Sequence, residues 1–462
     1  MRLIARYAKD KQTHFEIVTL YDERTESVTL SKERPVLKTL AHKHPAAVWF
    51  ERKMQDDFGI IIEDGYDLRP LVHQERFPQN VHPMCKDFTK KELSFAGFKP
   101  YQYEVIGGDG VFEVAVGPIH AGIIEPGHFH FSQSGERMLH QEVLHFYKHR
   151  GIEKMVEGKT LQEAKPIIER ISGNESIAYQ HCWRDIVLQA SGQALPLALK
   201  KRHALLLELE RVIYHLTDLG FIPNDAGFGA ALAYGSKLAE DARRKMQELT
   251  GHRFGFGAIG FENRTIETAE ETAEMASLLE WIGQMEGSVQ SFEDWIIDIP
   301  SLWDRFDTTG ELSHNKAVKY DCVGVVARAS GLALDRRMNS FYLEHGFRMA
   351  SGVSGDVGAR FKVRLAEVKN ALEMMRAFLE EDNTQLSLEN IADGEYSSFS
   401  ESAIGELFMA IDIKDGLIER FFVRDPSFIN WQALHAMMLK DIIADFPLIN
   451  KSCDLSYAGN DL

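Results

Sequence analysis

The chain has 462 residues, 44% hydrophobic and 26% charged, enough for two or three domains with a sizeable core. Lys+Arg minus Asp+Glu is 52 − 69 = −17, which argues against nucleic acid and against direct docking on anionic lipid, since both need a basic face. No apolar run approaches the ~18 residues that span a bilayer, and Met1 to Arg6 leads into no apolar signal-peptide core, so a cytoplasmic chain without a transmembrane segment is expected.

Thr13 to Leu20 predicts a strand, and Pro45 to Met54 a helix with proline near its first turn. Gly59 to Ile62 reads as a short buried segment, and Arg76 to Lys90, with two prolines and no clear period, as a linker. Residues 101–131 predict β-structure, with strand-forming residues over Val111–Pro118 that end in a turn and a second strand at Gly127–Phe131. Beyond about residue 133 helical periodicity takes over. Leu205, Leu209, Val212, Leu216 and Leu219 form one continuous stripe, closed by Gly220 as the residue after the helix. Further helices are expected at 138–149, 160–170, 226–249, 265–289, 315–340, 356–381 and 431–443, and a β-hairpin at 405–424 turning at Lys414-Asp415-Gly416.

Several segments, in one order along the chain, carry a family likeness. Glu51 to Ile60 followed by Asp67-Leu68-Arg69-Pro70-Leu71 resembles the end of the complex I 30-kDa subunit. Gly117-Pro118-Ile119-His120 resembles the turn that opens the large subunit of nickel-iron hydrogenases and the 49-kDa subunit of complex I. His149 to Lys154, Glu169 to Glu175, Glu208 to His215, Ala327 to Gly331 with Asp335-Arg336, Gly355-Asp356 with Arg360, and Arg424 to Phe428 continue the likeness. It is nearest to the energy-converting, formate hydrogenlyase and hydrogenase-4 type. The resemblance implies a mainly α fold with α+β parts. Residues 1–95 would be a truncated 30-kDa-like domain and linker. Residues 96–462 would be the large-subunit domain, a helical bundle with antiparallel β-segments near both ends.

In a working hydrogenase of this family, two C-x-x-C pairs supply the soft thiolates that nickel and iron require. The resemblance puts the first pair at Ser172 and Glu175, and the second, after Asp454, at Ser456 and Gly459. Ile404 stands where the family has an arginine over the metals. The four cysteines, Cys85, Cys182, Cys322 and Cys453, are isolated, so neither a disulfide framework nor a cluster held by this chain is expected. No metal and no cofactor of its own are expected.

Complex I uses the corresponding cavity for quinone. His120 fits the histidine that contacts it, although a turn histidine bonded to backbone is the plain alternative; Gly173 falls on the tyrosine position, with Tyr179 as a substitute. His128 and His130, two apart, offer metal-ligand spacing, but such a pair more often points one side chain in and one out, or both to solvent. Asp87, Glu125 and Glu142 suit a proton path or plain surface and capping roles. His252 to Gly257 lacks the Walker lysine and reads as a loop.

The resemblance therefore implies a non-hydrogenase large subunit of a membrane-associated, complex I-like assembly. It would lie on the cytoplasmic side through its partners, a small iron–sulfur subunit and membrane subunits of the antiporter kind. The chain would serve electron transfer or coupling. In the alternative, the cavity keeps a quinone-type acceptor site formed among His120, Arg170, Ser172, Glu175, Tyr179, Asp454, Ser456 and Gly459. An open, polar-lined cavity between Ser172, Ser456 and His120 would favour the acceptor site, and one plugged by Ile404 and Tyr457 a structural role.

Overall fold

A computed structural model describes residues 1–78, 80–89, 94–121, 124–260, 268–379 and 390–462, with side chains omitted for 268–274. Its N-terminal part is an antiparallel sheet of β1 (Leu3–Asp10), β2 (His14–Tyr21) and β3 (Thr25–Ser31). Then β4 (Val36–Lys38) and β5 (Ile61–Glu63) pair in parallel around α1 (Ala47–Phe58). The parallel pairing needs a crossover, which α1 supplies. A second antiparallel sheet contains β6 (Val111–Val116), β7 (His128–Ser134) and β8 (Arg137–Leu144).

Helices follow: α2 (Ile152–Val156), α3 (Leu161–Ile168), α4 (Ser176–Ser191), α5 (Leu197–Asp225), α6 (Gly229–Thr250), α7 (Thr268–Ile297), α8 (Pro300–Phe306), α9 (His314–Lys319), α10 (Gly324–Ala329), α11 (Ser340–Glu344) and α12 (Val357–Ala377). The last sheet is β9 (Gly394–Glu401), β10 (Glu406–Lys414) and β11 (Leu417–Arg424), followed by α13 (Pro426–Asn430), α14 (Leu434–Met438), α15 (Phe446–Cys453) and α16 (Tyr457–Asp461).

The two ends of the chain share one core. Every residue of β1 is buried, because β1 lies against the last sheet as well as beside β2. Tyr7 stacks on Phe422 at 4.2 Å, Lys9 pairs with Asp412 at 2.9 Å, and Arg420 and Arg424 donate to the carbonyls of Ala8 and Ile4. Such buried ions persist because each finds an opposite charge or a carbonyl.

The central bundle is α5, α6 and α12. Gly220 does not end its helix as expected but lies inside α5, where Gly235 of α6 meets it. A Cβ on Gly235 would lie 2.7 Å from the Gly220 Cα, so two glycines let the helices touch backbone to backbone.

Two further expectations fail for visible reasons. The segment 138–149 is not a helix but β8 and its exit. Within β8 the buried residues, Met138, Gln141 and Leu144, fall at every third position and imitate a helical face, helped by a bulge opposite Gln133. The helix expected over 315–340 is broken into α9 and α10, with Asp321, Gly324 and Gly331 at positive φ. A Cβ at Gly324 would fall 1.7 Å from the Ile404 carbonyl oxygen, so a glycine is required there. The first residues of the helix expected at 265–289, and the last of the one expected at 356–381, lie outside the described residues.

Candidate functional site

Segments from distant parts of the sequence meet around one open cavity of about 550 Å³. The β6–β7 turn contributes Val116, His120, Ile124, Glu125 and Phe129; the α3–α4 junction contributes Ser172, Gly173 and Asn174. The inner face of α5 gives Glu210, Ile213, Tyr214, Thr217 and Asp218, while α15 and α16 give Lys451, Asp454, Ser456 and Tyr457. Ser172 Oγ and Ser456 Oγ, 284 positions apart in sequence, lie 3.3 Å from each other.

Buried polar contacts fix these segments. Arg150 donates to the carbonyls of Ile171 and Ala458, at 2.8 and 2.9 Å, and so staples the α3–α4 junction to α16. Glu210 of α5 accepts from the backbone N–H groups of Ile177 and Ala178, at 2.6 and 3.1 Å, and caps α4 from outside the helix. Arg364 of α12 donates to the carbonyls of Ser452 and Cys453, and Tyr214 to that of Asp454. Ser456 caps α16 by accepting from Gly459 N at 2.9 Å, which frees its hydroxyl hydrogen for Ser172.

The wall beside Ser456 is charged. Lys451 contacts Asp454 and lies 3.5 Å from Asp218, which also pairs with Arg364 at 3.0 Å. Burial works against ionising Asp454, but Lys451, a hydrogen bond from Asp218 and the charge of Arg364 together hold its carboxyl down at about 2. The same carboxylates raise Lys451 despite its burial. Ile213, Met246, Phe254 and Phe446 add apolar lining to this charged wall. A few polar groups among apolar lining are the usual pattern of a small-molecule site.

His120 lines the cavity with its Nε2 bound to the Gly127 carbonyl at 2.6 Å. A carbonyl only accepts, so Nε2 carries the hydrogen, and Nδ1 is left as the ring's acceptor when the imidazole is neutral. The backbone-bonded reading and the ligand reading are thus compatible. Gly117, at φ +87°, permits the turn: a Cβ there would strike the Gly127 oxygen at 2.2 Å and the His120 ring.

Of the other residues singled out from the sequence, Asp454, Ser172 and Ser456 line the cavity. Arg170 does not: it is exposed, bonded to Glu169 and the Pro166 carbonyl, and stacked over Phe256. Tyr179 is fully buried behind the wall, its hydroxyl donating to Asp425 at 2.6 Å. Glu175 is also fully buried, and burial together with Asp425 raises its carboxyl well above the usual range. A Cβ on Gly459 would lie 2.0 Å from the Asp425 carboxylate, so that carboxylate occupies the direction in which a side chain at 459 would project. Ile404 is buried away from the cavity with its carbonyl on α10, whereas Tyr457 forms part of the lining.

His128 and His130 do not part to opposite faces. Their rings are 6.1 Å apart, His130 stacks on Tyr103 and meets Glu113 at 2.9 Å, and His128 bonds the Gly117 carbonyl. Glu125 accepts from Ala458 N and contacts Lys148; Glu142 pairs with Arg69; Asp87 is exposed. Within the loop at 252–257, Arg253 and Phe254 reach the cavity.

The donor set can be compared with what a nickel–iron centre needs. The four positions offer two hydroxyls, one carboxyl sealed beside another carboxyl, and a glycine whose space is taken. Cys453, next in sequence to Asp454, instead packs its sulfur 3.5 Å from Met437 Sδ. These residues do not fit a soft-donor bimetallic site.

Residues 2–93 match the family described as respiratory-chain NADH dehydrogenase, 30 Kd subunit, and residues 225–390 the family described as respiratory-chain NADH dehydrogenase, 49 Kd subunit. The chain carries complex I 30-kDa and 49-kDa domains. Among curated proteins it is 28% identical to formate hydrogenlyase subunit 5 of Escherichia coli, over 95% of this chain and 79% of that one. It is 27% identical to hydrogenase-4 component G of the same organism, over 90% and 74%. It is 26% identical to an NADH-quinone oxidoreductase subunit of Dehalococcoides mccartyi, over 74% and 96%. A chain of the membrane-bound sulfane sulfur reductase, an archaeal respiratory membrane complex, shares the fold with a TM-score of 0.70 and 20% identity, over 76% of this chain and 99% of that one. Among the described residues no helix is long and apolar enough to cross a membrane.

Sequence reasoning misses Arg150, Glu210, Tyr214, Asp218 and Lys451. Arg150, Glu210 and the α5 helix lie within the family-like motifs, but their roles depend on partners far away in sequence. The helical stripe of α5 draws attention to its apolar face, whereas the cavity takes Tyr214 and Asp218 from beside it.

Proposed function

We propose that this protein is a non-hydrogenase large subunit of a membrane-associated, complex I-like assembly, and that its cavity binds a small electron acceptor of the quinone type. The single observation that carries this reading is the open cavity of about 550 Å³ bounded by His120, Ser172 and Ser456, with Ile404 outside it. A purely structural descendant of a metal site has no reason to keep such a volume, because closing it would recover dispersion and apolar burial.

Electrons would come from an iron–sulfur cluster on a small partner subunit, and membrane subunits would hold the assembly on the cytoplasmic side. Exposed apolar side chains support the partner: Phe98, Val105, Ile119 and Ile124 are 55%, 61%, 90% and 53% exposed, and the last two belong to the cavity turn. Ser172 would donate to an acceptor oxygen, His120 Nδ1 would accept from the hydroxyl that forms when that acceptor is reduced, and the apolar lining would take a ring. No nickel–iron centre takes part.

Purification of the native complex tests this. Co-purification of an iron–sulfur subunit, iron without stoichiometric nickel, and no hydrogen uptake or evolution are the expected results. A partner-free monomer in native extract, or about one nickel per chain with hydrogen-dependent dye reduction, would refute the reading.

A further inference from the structure

We propose that Glu175 and Asp425 form an acid pair that shares one proton, a proton-binding site set behind the cavity at the position of the family's second thiolate. The proposal does not depend on what the cavity binds.

Both groups are sealed from water: Glu175 is 0% and Asp425 1% exposed. Asp425 is well supplied with donors. It accepts from Tyr179 Oη at 2.6 Å and from Ser427 N at 2.8 Å, the latter capping α13. Glu175 is not. Among the described residues neither of its oxygens has a well-formed hydrogen bond, and the side chains that approach it are those of Asp425 and Ser402. Two buried carboxylates side by side cannot both ionise without a cation between them, and a buried carboxylate with no donor is costlier still. One proton on Glu175, donated to Asp425, removes both penalties.

The groups around the pair do not supply the missing charge. From α4 comes Tyr179, whose phenol is held protonated by burial and by Asp425. From α5 come Glu210, pushed up to about 8 by burial against the two N–H groups it accepts, and Tyr214, also held protonated by burial. The β9–β10 turn brings Ser402 close to Glu175, but its hydroxyl hydrogen is already given to the Gly405 carbonyl. Arg150 is the nearby cation, but its guanidinium faces the Ile171 and Ala458 carbonyls. The Asp218–Asp454 pair also shares a hydrogen bond, with burial holding Asp218 un-ionised, but there Arg364 and Lys451 stand 3.0 and 3.5 Å from Asp218. Gly459 completes the site, since any side chain there would displace Asp425.

Infrared spectroscopy of the purified protein, at a pH well above the ordinary carboxyl range, reads the proton directly as the carbonyl stretch of an un-ionised carboxyl group. Such a band should be present in the wild type and shift in heavy water; Glu175→Gln should lose one carboxyl's worth of it, and Asp425→Asn, which keeps the protonated Glu175 but removes its acceptor, should move it. Proton release on urea unfolding at the same pH should be smaller in Glu175→Gln by about one proton per chain. If those variants do not fold, Tyr179→Phe, which changes no charge, should move the band by removing the phenol's bond to Asp425. A wild-type spectrum without the band, or one that none of the folded variants alters, overturns the proposal.

Discussion

Gly459 makes the sharpest demand on its neighbour. Replacing it with alanine puts a Cβ 2.0 Å from Asp425 Oδ2, so the carboxylate must withdraw. Withdrawal breaks the 2.6 Å bond from Tyr179 and the 2.8 Å cap to Ser427 N. A hydrogen bond to a charged group contributes about 1.5–3 kcal/mol and a helix N-cap about 0.5–2 kcal/mol, while alanine in place of glycine inside a helix returns up to about 1 kcal/mol. The expected net loss for Gly459→Ala is about 1–4 kcal/mol by that sum. In an Asp425→Ala background the clash is gone and only the helix gain remains, so the same substitution becomes neutral or slightly stabilising. Urea-unfolding midpoints of the four proteins, followed by circular dichroism, measure the coupling. Equal losses from Gly459→Ala in both backgrounds would refute the reasoning.

Three further outcomes follow from the same geometry. His145 is buried among Trp49, Trp431 and Tyr457, and burial lowers its imidazole from 6.5 to about 3. The folded state therefore favours the neutral ring. This stability is whole above the unfolded value and falls as pH drops from 6.5 towards 3, by up to about 1.4 kcal/mol per unit. His145→Phe should flatten the acid limb of the stability profile, and an unchanged limb would contradict the assignment. Arg364→Met takes the buried cation from beside the Asp218–Asp454 pair and frees the Ser452 and Cys453 carbonyls, so it should cost about 3–5 kcal/mol in unfolding free energy, whereas a loss within about 0.5 kcal/mol would show the pairing to be idle. Arg150→Gln should loosen the junction of residues 171 and 458 and raise hydrogen exchange there without affecting β1–β3; uniform protection across both regions would contradict that.

What is legible in the sequence follows interaction range. The α5 stripe, the 405–424 hairpin and the helix after Pro45 depend on local period and turn chemistry, and all three appear in the structure. Strand β1 gives no such signal, because its residues are buried by α1 as well as by the last sheet and show no alternation. The period-three burial of β8 points to the wrong element. At the site, motif order locates Ser172 and Ser456, but Asp425, one residue of the Arg-Asp-Pro-Ser-Phe motif, gives no sign that it fills the space beside Gly459. Arg170 and Tyr179 stand near Ser172 in sequence, yet helix geometry points one outward and turns the other behind the wall.

The central claim is that the open cavity takes a small electron acceptor. The most direct measurement is saturable reduction of a water-soluble quinone by the dye-reduced native complex, compared between wild type and Ile213→Trp. Ile213 lines the cavity from α5, and tryptophan there adds bulk without removing a hydrogen bond that holds the site. The account predicts saturable reduction in the wild type and its loss in an Ile213→Trp complex that still assembles. Equal rates in the two complexes, or no quinone reduction by the wild type, would contradict it.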